Sequence, residues 1–162
     1  MRTEEKCEML YDLLNIQKEW VMECGIIKSE FSTIDPVSTY LNRLEQDGQE
    51  CIIELRRYVD GCYGDPADAV KLKGHLYTSW VFDRIMICRK IPHLFEGCMN
   101  KLSTLRMVYE KALSREVLFP IDVVEVLHGH LNRIQQAIAT TYSYSPPAGI
   151  PVQNLQPEEL LS

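Results

Sequence analysis

The 162-residue sequence contains no unbroken apolar run near the roughly 18 residues that a membrane-spanning helix needs. Met1 to Asp12 mix charges with apolar side chains and hold no unbroken hydrophobic run, so no signal-peptide core is visible. The expectation is a soluble chain that does not enter a membrane. A Gly-rich phosphate loop, a GxSxG elbow and an HExxH zinc helix are also missing, which removes the commonest signatures of phosphoryl transfer, serine hydrolysis and metalloproteolysis. No alternating apolar pattern is long enough to suggest a sheet.

The six cysteines form no CxxC pair. Cys24, Cys51, Cys62, Cys88 and Cys98 fall on apolar helical seams, where a thiol behaves as a small hydrophobe. Free thiols and a reducing, intracellular location follow as the expectation, nuclear or cytoplasmic. Cys88, His93 and Cys98 are evenly spaced, but they supply three ligands where a structural zinc site takes four. Glu125 and His128 have the Glu-x-x-His spacing of di-metal bundles, which need a second copy that helices one to four do not supply. His128 and His130 stand two residues apart, on different helix faces. No metal, cofactor or catalytic residue is assigned.

What is present is helical periodicity in an ordinary globular composition, 46% apolar and 25% charged, in a chain about the size of one domain. Helix one runs from about Thr3 to Phe31 on a stripe of Leu10, Leu13, Leu14, Trp20, Val21, Cys24, Ile27 and Phe31. Asp35-Pro36 opens helix two, with Asp35 read as the N-cap and proline at the first helical position. Its seam is Val37, Leu41, Leu44, Gly48, Cys51, Leu55, Tyr58 and Cys62. Asp47-Gly48 has the composition of a turn, yet Gly48 lands on the seam, which favours one long helix with a close backbone contact there. On that reading leucine at 48 overpacks the core, whereas alanine changes little. Asp65-Pro66 opens helix three, which runs to about Lys90. Its two apolar stripes (Val70, Tyr77, Val81, Ile85 and Cys88; Leu72, Leu76, Trp80 and Ile87) predict the central position in the bundle. Pro92 breaks the chain. Leu94, Cys98, Leu102, Leu105, Tyr109 and Ala112 mark helix four; Val124, Leu127, Leu131, Ile134 and Ile138 mark helix five. The predicted fold is all-α, an elongated bundle of about five helices over residues 1–142.

Residues 143–162 differ in kind. Ser145-Pro146-Pro147-Ala148-Gly149-Ile150-Pro151 favours an extended, polyproline-like path, giving a Pro-rich C-terminal tail. Leu155, Leu160 and Leu161 within it have the character of a short docking motif.

Charge is unevenly spread: residues 1–64 carry a net −6, residues 65–115 a net +4 and residues 116–162 a net −4. A middle of only +4 between acidic flanks is a poor phosphate-binding surface, which argues against direct contact with nucleic acid. Lys71, Lys73, Arg84, Arg89, Lys90, Lys101 and Arg106 would instead face the acidic hairpin or an acidic protein partner. Leu10-Tyr11-Asp12-Leu13-Leu14 has the LxxLL spacing of receptor-docking helices, but the same leucines lie on the stripe that must face the core.

From helix five onward, Val124, Leu131, Arg133 and Ile134 lead through Thr140-Thr141 to Ser145-Pro146-Pro147, Pro151 and Pro157-Glu158. This resembles the way the fourth subunit of the transcriptional Mediator leaves its last helix. Tyr109-Glu110-Lys111-Ala112 is compatible with the long helix that precedes it there. Asn132-Arg133-Ile134-Gln135 departs from the family's usual His-Arg-Ile-Ser core, and the Asp-Pro helix starts are foreign to it. The resemblance covers about a quarter of the chain and implies a non-enzymatic nuclear scaffold subunit. The residues themselves point the same way, to a helical interaction subunit whose partners are other helical proteins. The competing reading is a stand-alone adaptor that captures a partner helix in a groove.

Overall fold

The computed structural model describes residues 2–31, 33–60, 74–82 and 91–144. These form five α-helices and one 3-10 turn, and no strand occurs among them: α1 (Arg2–Glu30), α2 (Asp35–Val59), α3 (His75–Phe82), α4 (Ile91–Leu113), the 3-10 turn Glu116–Leu118, and α5 (Ile121–Tyr144). None of these helices is long and apolar enough to cross a membrane. Lys71, Lys73, Arg84, Arg89, Lys90, Leu155, Leu160 and Leu161 all lie outside the described residues.

Cross-helix pairs fix the arrangement. Tyr11 Oη donates to the Val59 carbonyl at 3.2 Å, and Lys28 pairs with Glu45 at 2.8 Å, so α1 and α2 run antiparallel. Tyr40 meets Thr141 at 2.5 Å and Glu50 meets Arg133 at 2.8 Å, which sets α2 antiparallel to α5. Gln17 reaches Tyr109, and Glu23 reaches Lys101, between α1 and α4. Phe95 stacks on Tyr144 with ring centroids 4.9 Å apart, closing the ring between α4 and α5. The result is a four-helix bundle in the spatial order α1, α2, α5, α4 with every neighbour antiparallel, as short connections between sequential helices favour. The short α3 packs on α1 and α4 outside that ring.

Each helix begins and runs for reasons visible in its residues. In α2 the N-cap is Ile34, one residue earlier than expected; Asp35 becomes an acid in the first turn and Pro36 follows where its missing N–H is harmless. The helix continues through Gly48 without a break, and Gly48 is buried with Val37, Leu41, Leu44, Cys51 and Leu55. In α4 all six predicted seam residues, Leu94, Cys98, Leu102, Leu105, Tyr109 and Ala112, are buried. At the far end, α5 extends to Tyr144, so Ser143 and Tyr144 belong to the helix rather than to a tail.

Three expectations are corrected. Of helix three only His75–Phe82 is described, and there Leu76, Tyr77 and Trp80 are buried while Val81, expected on a stripe, is 43% exposed. Among the described helices the one sunk deepest is α1, where every residue from Met9 to Leu14 is buried. The reason is that α1 touches α2, α3 and α4 at once. The same burial places Leu10, Leu13 and Leu14 in the core, so the LxxLL spacing is a packing stripe. The second correction concerns the thiols. Cys24, Cys51 and Cys98 are free and buried, but Cys7 is disulfide-bonded, so not all six cysteines are free. The third is Lys101, expected on a basic surface. It is 2% exposed, paired with Glu23, with its Nζ 5.5 Å from the centre of the Trp80 ring.

Asp12 shows how a polar residue earns a place in such a core. Its carboxylate accepts from the Gly74 and Tyr77 backbone N–H groups at 2.6 and 3.1 Å, capping α3 from a residue 62 positions earlier. A helix start leaves N–H groups without partners, and Asp12 supplies acceptors for two of them.

Candidate functional site

A chain of polar side chains crosses the bundle from α1 to the outer face of α2 and α5. Gln17 Nε2 donates to Tyr109 Oη at 3.0 Å, and Tyr109 Oη lies 2.9 Å from His130 Nδ1. Because the phenol oxygen accepts from Gln17, its own proton is available for Nδ1. That order puts the remaining imidazole proton on Nε2. Nε2 sits 3.3 Å from Glu54 Oε1, near but without the alignment of a hydrogen bond. Arg133 completes the line, 3.7 Å from Glu54 and 2.8 Å from Glu50.

The helical register explains this convergence. His130 lies three residues after Leu127 and four before Ile134, on the same buried seam of α5. Gln17 stands between Leu14 and Trp20 on α1, and Tyr109 between Leu105 and Ala112 on α4. Periodicity counted in apolar residues passes over His130 and Gln17, although their seam positions were legible. Burial holds these groups in their uncharged forms. It pushes the Tyr109 phenol well up and the Cys51 thiol up to about 12, and it lowers His130 to about 4 against the pull of Glu54.

His130 borders a solvent-open groove of about 340 Å³ between α2 and α5. Glu54 and Tyr58 form one wall; Asp122, Glu125 and Arg133, one face of α5, form the other. Gly129 lies between them, and a methyl group there would meet nothing within 4 Å. The walls offer carboxylates and an aromatic edge, while the phenol of the polar chain is sealed in the core. This suits recognition of a polar surface better than attack on a bound substrate.

Other sequence candidates do not converge. His93 is exposed and 3.6 Å from Glu96, whereas Cys98 is fully buried, so the two do not face a common point. Glu125 and His128 are both exposed, and His128 lies 3.9 Å from Glu116. Among the described residues, no three His, Cys, Asp or Glu side chains are arranged to hold a metal ion. Arg106 pairs with Glu110 at 3.6 Å on α4 itself.

The two buried titrations pull stability in opposite directions. Desolvation raises Asp12 from 3.8 to about 6, with its backbone donors opposing. A raised carboxyl pKa contributes stability that is present below pH 3.8 and lost as the pH rises through about 6. His130, lowered from 6.5 to about 4, contributes stability that is present above pH 6.5 and lost as the pH falls through about 4. Relative to wild type, Asp12→Asn should therefore gain stability as pH rises from 4 to 6, and His130→Gln should lose it. Each change should be about 1–2 kcal/mol once partial solvent access is allowed for. Urea unfolding of the three proteins at pH 4, 5 and 6 measures both slopes; parallel curves would refute the assignment.

Compared with known protein families, curated proteins and solved structures, the chain matches none.

Proposed function

We propose that this protein is a non-enzymatic helical interaction subunit of a larger multiprotein complex, with other helical proteins as its partners. The observation that carries this reading is the groove between α2 and α5. It is concave, open to solvent and walled by Glu54, Asp122 and Glu125, and it stands on a bundle whose core is already filled. Carboxylates rimming a concave surface give specificity and register to a protein contact. The resemblance of the C-terminal quarter to the fourth Mediator subunit extends the proposal to a transcription assembly in the nucleus. Free Cys24, Cys51 and Cys98 favour a reducing compartment, while the Cys7 disulfide weighs against it. Alkylation without reductant, followed by mass spectrometry of the protein from its own cells, tests the compartment: Cys7 alkylated there supports a reducing one, and Cys7 protected there overturns the nuclear placement.

The interaction itself is tested by purifying the tagged chain from its own cells and sizing the product. A stoichiometric partner should co-elute, well above the 18.7 kDa of the chain. Reversing Asp122 and Glu125 to arginine should weaken that association about tenfold without loss of helicity, since both side chains are exposed. Elution of the wild-type chain alone at its own mass would overturn the proposal, and co-elution with Mediator subunits would support the transcription reading.

A further inference from the structure

Beside Gly48 the helices leave a half-open pocket of about 20 Å³, enough for one water molecule and for little else. Its lining brings together Gln17 of α1, Asp47 and Cys51 of α2, and Arg133 of α5 among apolar neighbours that include Trp20 and Leu105. Two polar atoms of these lining residues have no hydrogen-bond partner among the described residues: Gln17 Oε1, beside Gly48, and Arg133 Nη1. Gln17 is 1% exposed, and its amide nitrogen is already committed to Tyr109. Arg133 Nη1 lies 2.8 Å from Glu50, but not in the line a hydrogen bond requires.

We propose that this pocket is a specific binding site for a single structural water that joins α1, α2 and α5. The chemistry of the lining selects the ligand. Gln17 Oε1 needs a donor and Arg133 Nη1 needs an acceptor, so the occupant must do both. An ammonium ion cannot accept, and a halide cannot donate. Water does both, and its second proton is free for the Asp47 carboxylate. Three hydrogen bonds is the usual number for a buried water, and leaving such groups without partners is costly. Gly48 belongs to the same design: a methyl group in its place would lie 3.6 Å from Gln17 Oε1, so the absent side chain leaves the room that the water fills. Through the water, the inner end of Gln17 is connected to Arg133, which also walls the outer groove. The inference stands apart from the interaction reading.

The experiment is water-to-protein cross-relaxation NMR on the full chain, observing the Gln17 side-chain amide, with the Val21→Ala, Gly48→Ala double variant as the comparison. The wild type should show a direct cross-peak of the sign given by a water resident for longer than about a nanosecond. In the double variant, whose new methyl at 48 intrudes on the pocket, the peak should fall at least severalfold while the Gln17 amide keeps its chemical-shift dispersion. Oxygen-17 relaxation dispersion on the wild type should register at least one long-lived internal water, and the variant should register one fewer. Absence of the wild-type cross-peak overturns the proposal. So does a peak of unchanged intensity in the variant, which is the result expected if magnetisation is relayed through the Tyr109 hydroxyl.

Discussion

Gly48→Leu should lower the unfolding free energy by about 3 kcal/mol or more, and even Gly48→Ala should lower it by about 1 kcal/mol. For an ordinary helical glycine the alanine substitution would stabilise by about 0.5–1 kcal/mol. Here a methyl group at position 48 would lie 2.5 Å from Val21 Cγ2, well inside van der Waals contact. Val21 is β-branched and stiff about its first side-chain torsion, so it yields at a cost that exceeds the propensity gain. The structure thus replaces the expectation that alanine is neutral with a specific collision between α1 and α2. Because one side chain causes it, one further substitution should relieve it. Val21 is only half-buried, and Val21→Ala alone should cost less than about 1 kcal/mol. The double variant should then be more stable than the sum of the two single effects predicts, a favourable coupling between two contacting sites. Strict additivity of the two single effects would show that the cost of alanine at 48 arises elsewhere.

The residues that were legible in the sequence are those whose position alone decides their surroundings. Leu94 to Ala112 step by threes and fours with no competing signal, and all six are buried. Asp35-Pro36 announces the start of α2, because proline tolerates the first turn and little else of a helix. Gly48 was placed inward by its register. Where the reading stopped was at polar residues on seam positions. Lys101 comes three after Cys98 and four before Leu105, so its register was that of the core. Its charge led instead to a surface assignment, since lysine is almost never buried unless paired. The pairing with Glu23, 78 residues away, is a tertiary fact that no local pattern contains. The same holds for the cap that Asp12 provides to α3 and for the approach of His130 to Glu54. The groove was out of reach for a further reason, because its walls, Glu54 and Tyr58 of α2 and Asp122 and Glu125 of α5, meet only once those helices pack.

Lys101 and Glu23 give the second large effect. Lys101 is 2% exposed on its side chain and Glu23 is 18% exposed, so both charges have left most of their water. The desolvation of each is compensated mainly by the other, together with the Trp80 ring beneath the ammonium. Glu23→Ala removes the compensation and leaves a buried cation, which should cost about 3–5 kcal/mol. Lys101→Met should cost less, because Glu23 stands at the edge of the core and can turn towards solvent. The methionine also fills the lysine stem's place over Trp80 with a shape of similar length. The decisive comparison is the double variant Glu23→Leu, Lys101→Met, which removes both charges and keeps the volume. Well-packed apolar replacement of a buried pair is often neutral or better, so the double variant should recover to within about 1 kcal/mol of wild type. Chemical denaturation at neutral pH measures all three. If Glu23→Ala costs under about 1 kcal/mol, the pair behaves as a surface bridge and α4 does not hold Lys101 in the core. If the double variant stays as unstable as Glu23→Ala, the charges hold α1 and α4 in register in a way that apolar packing cannot replace.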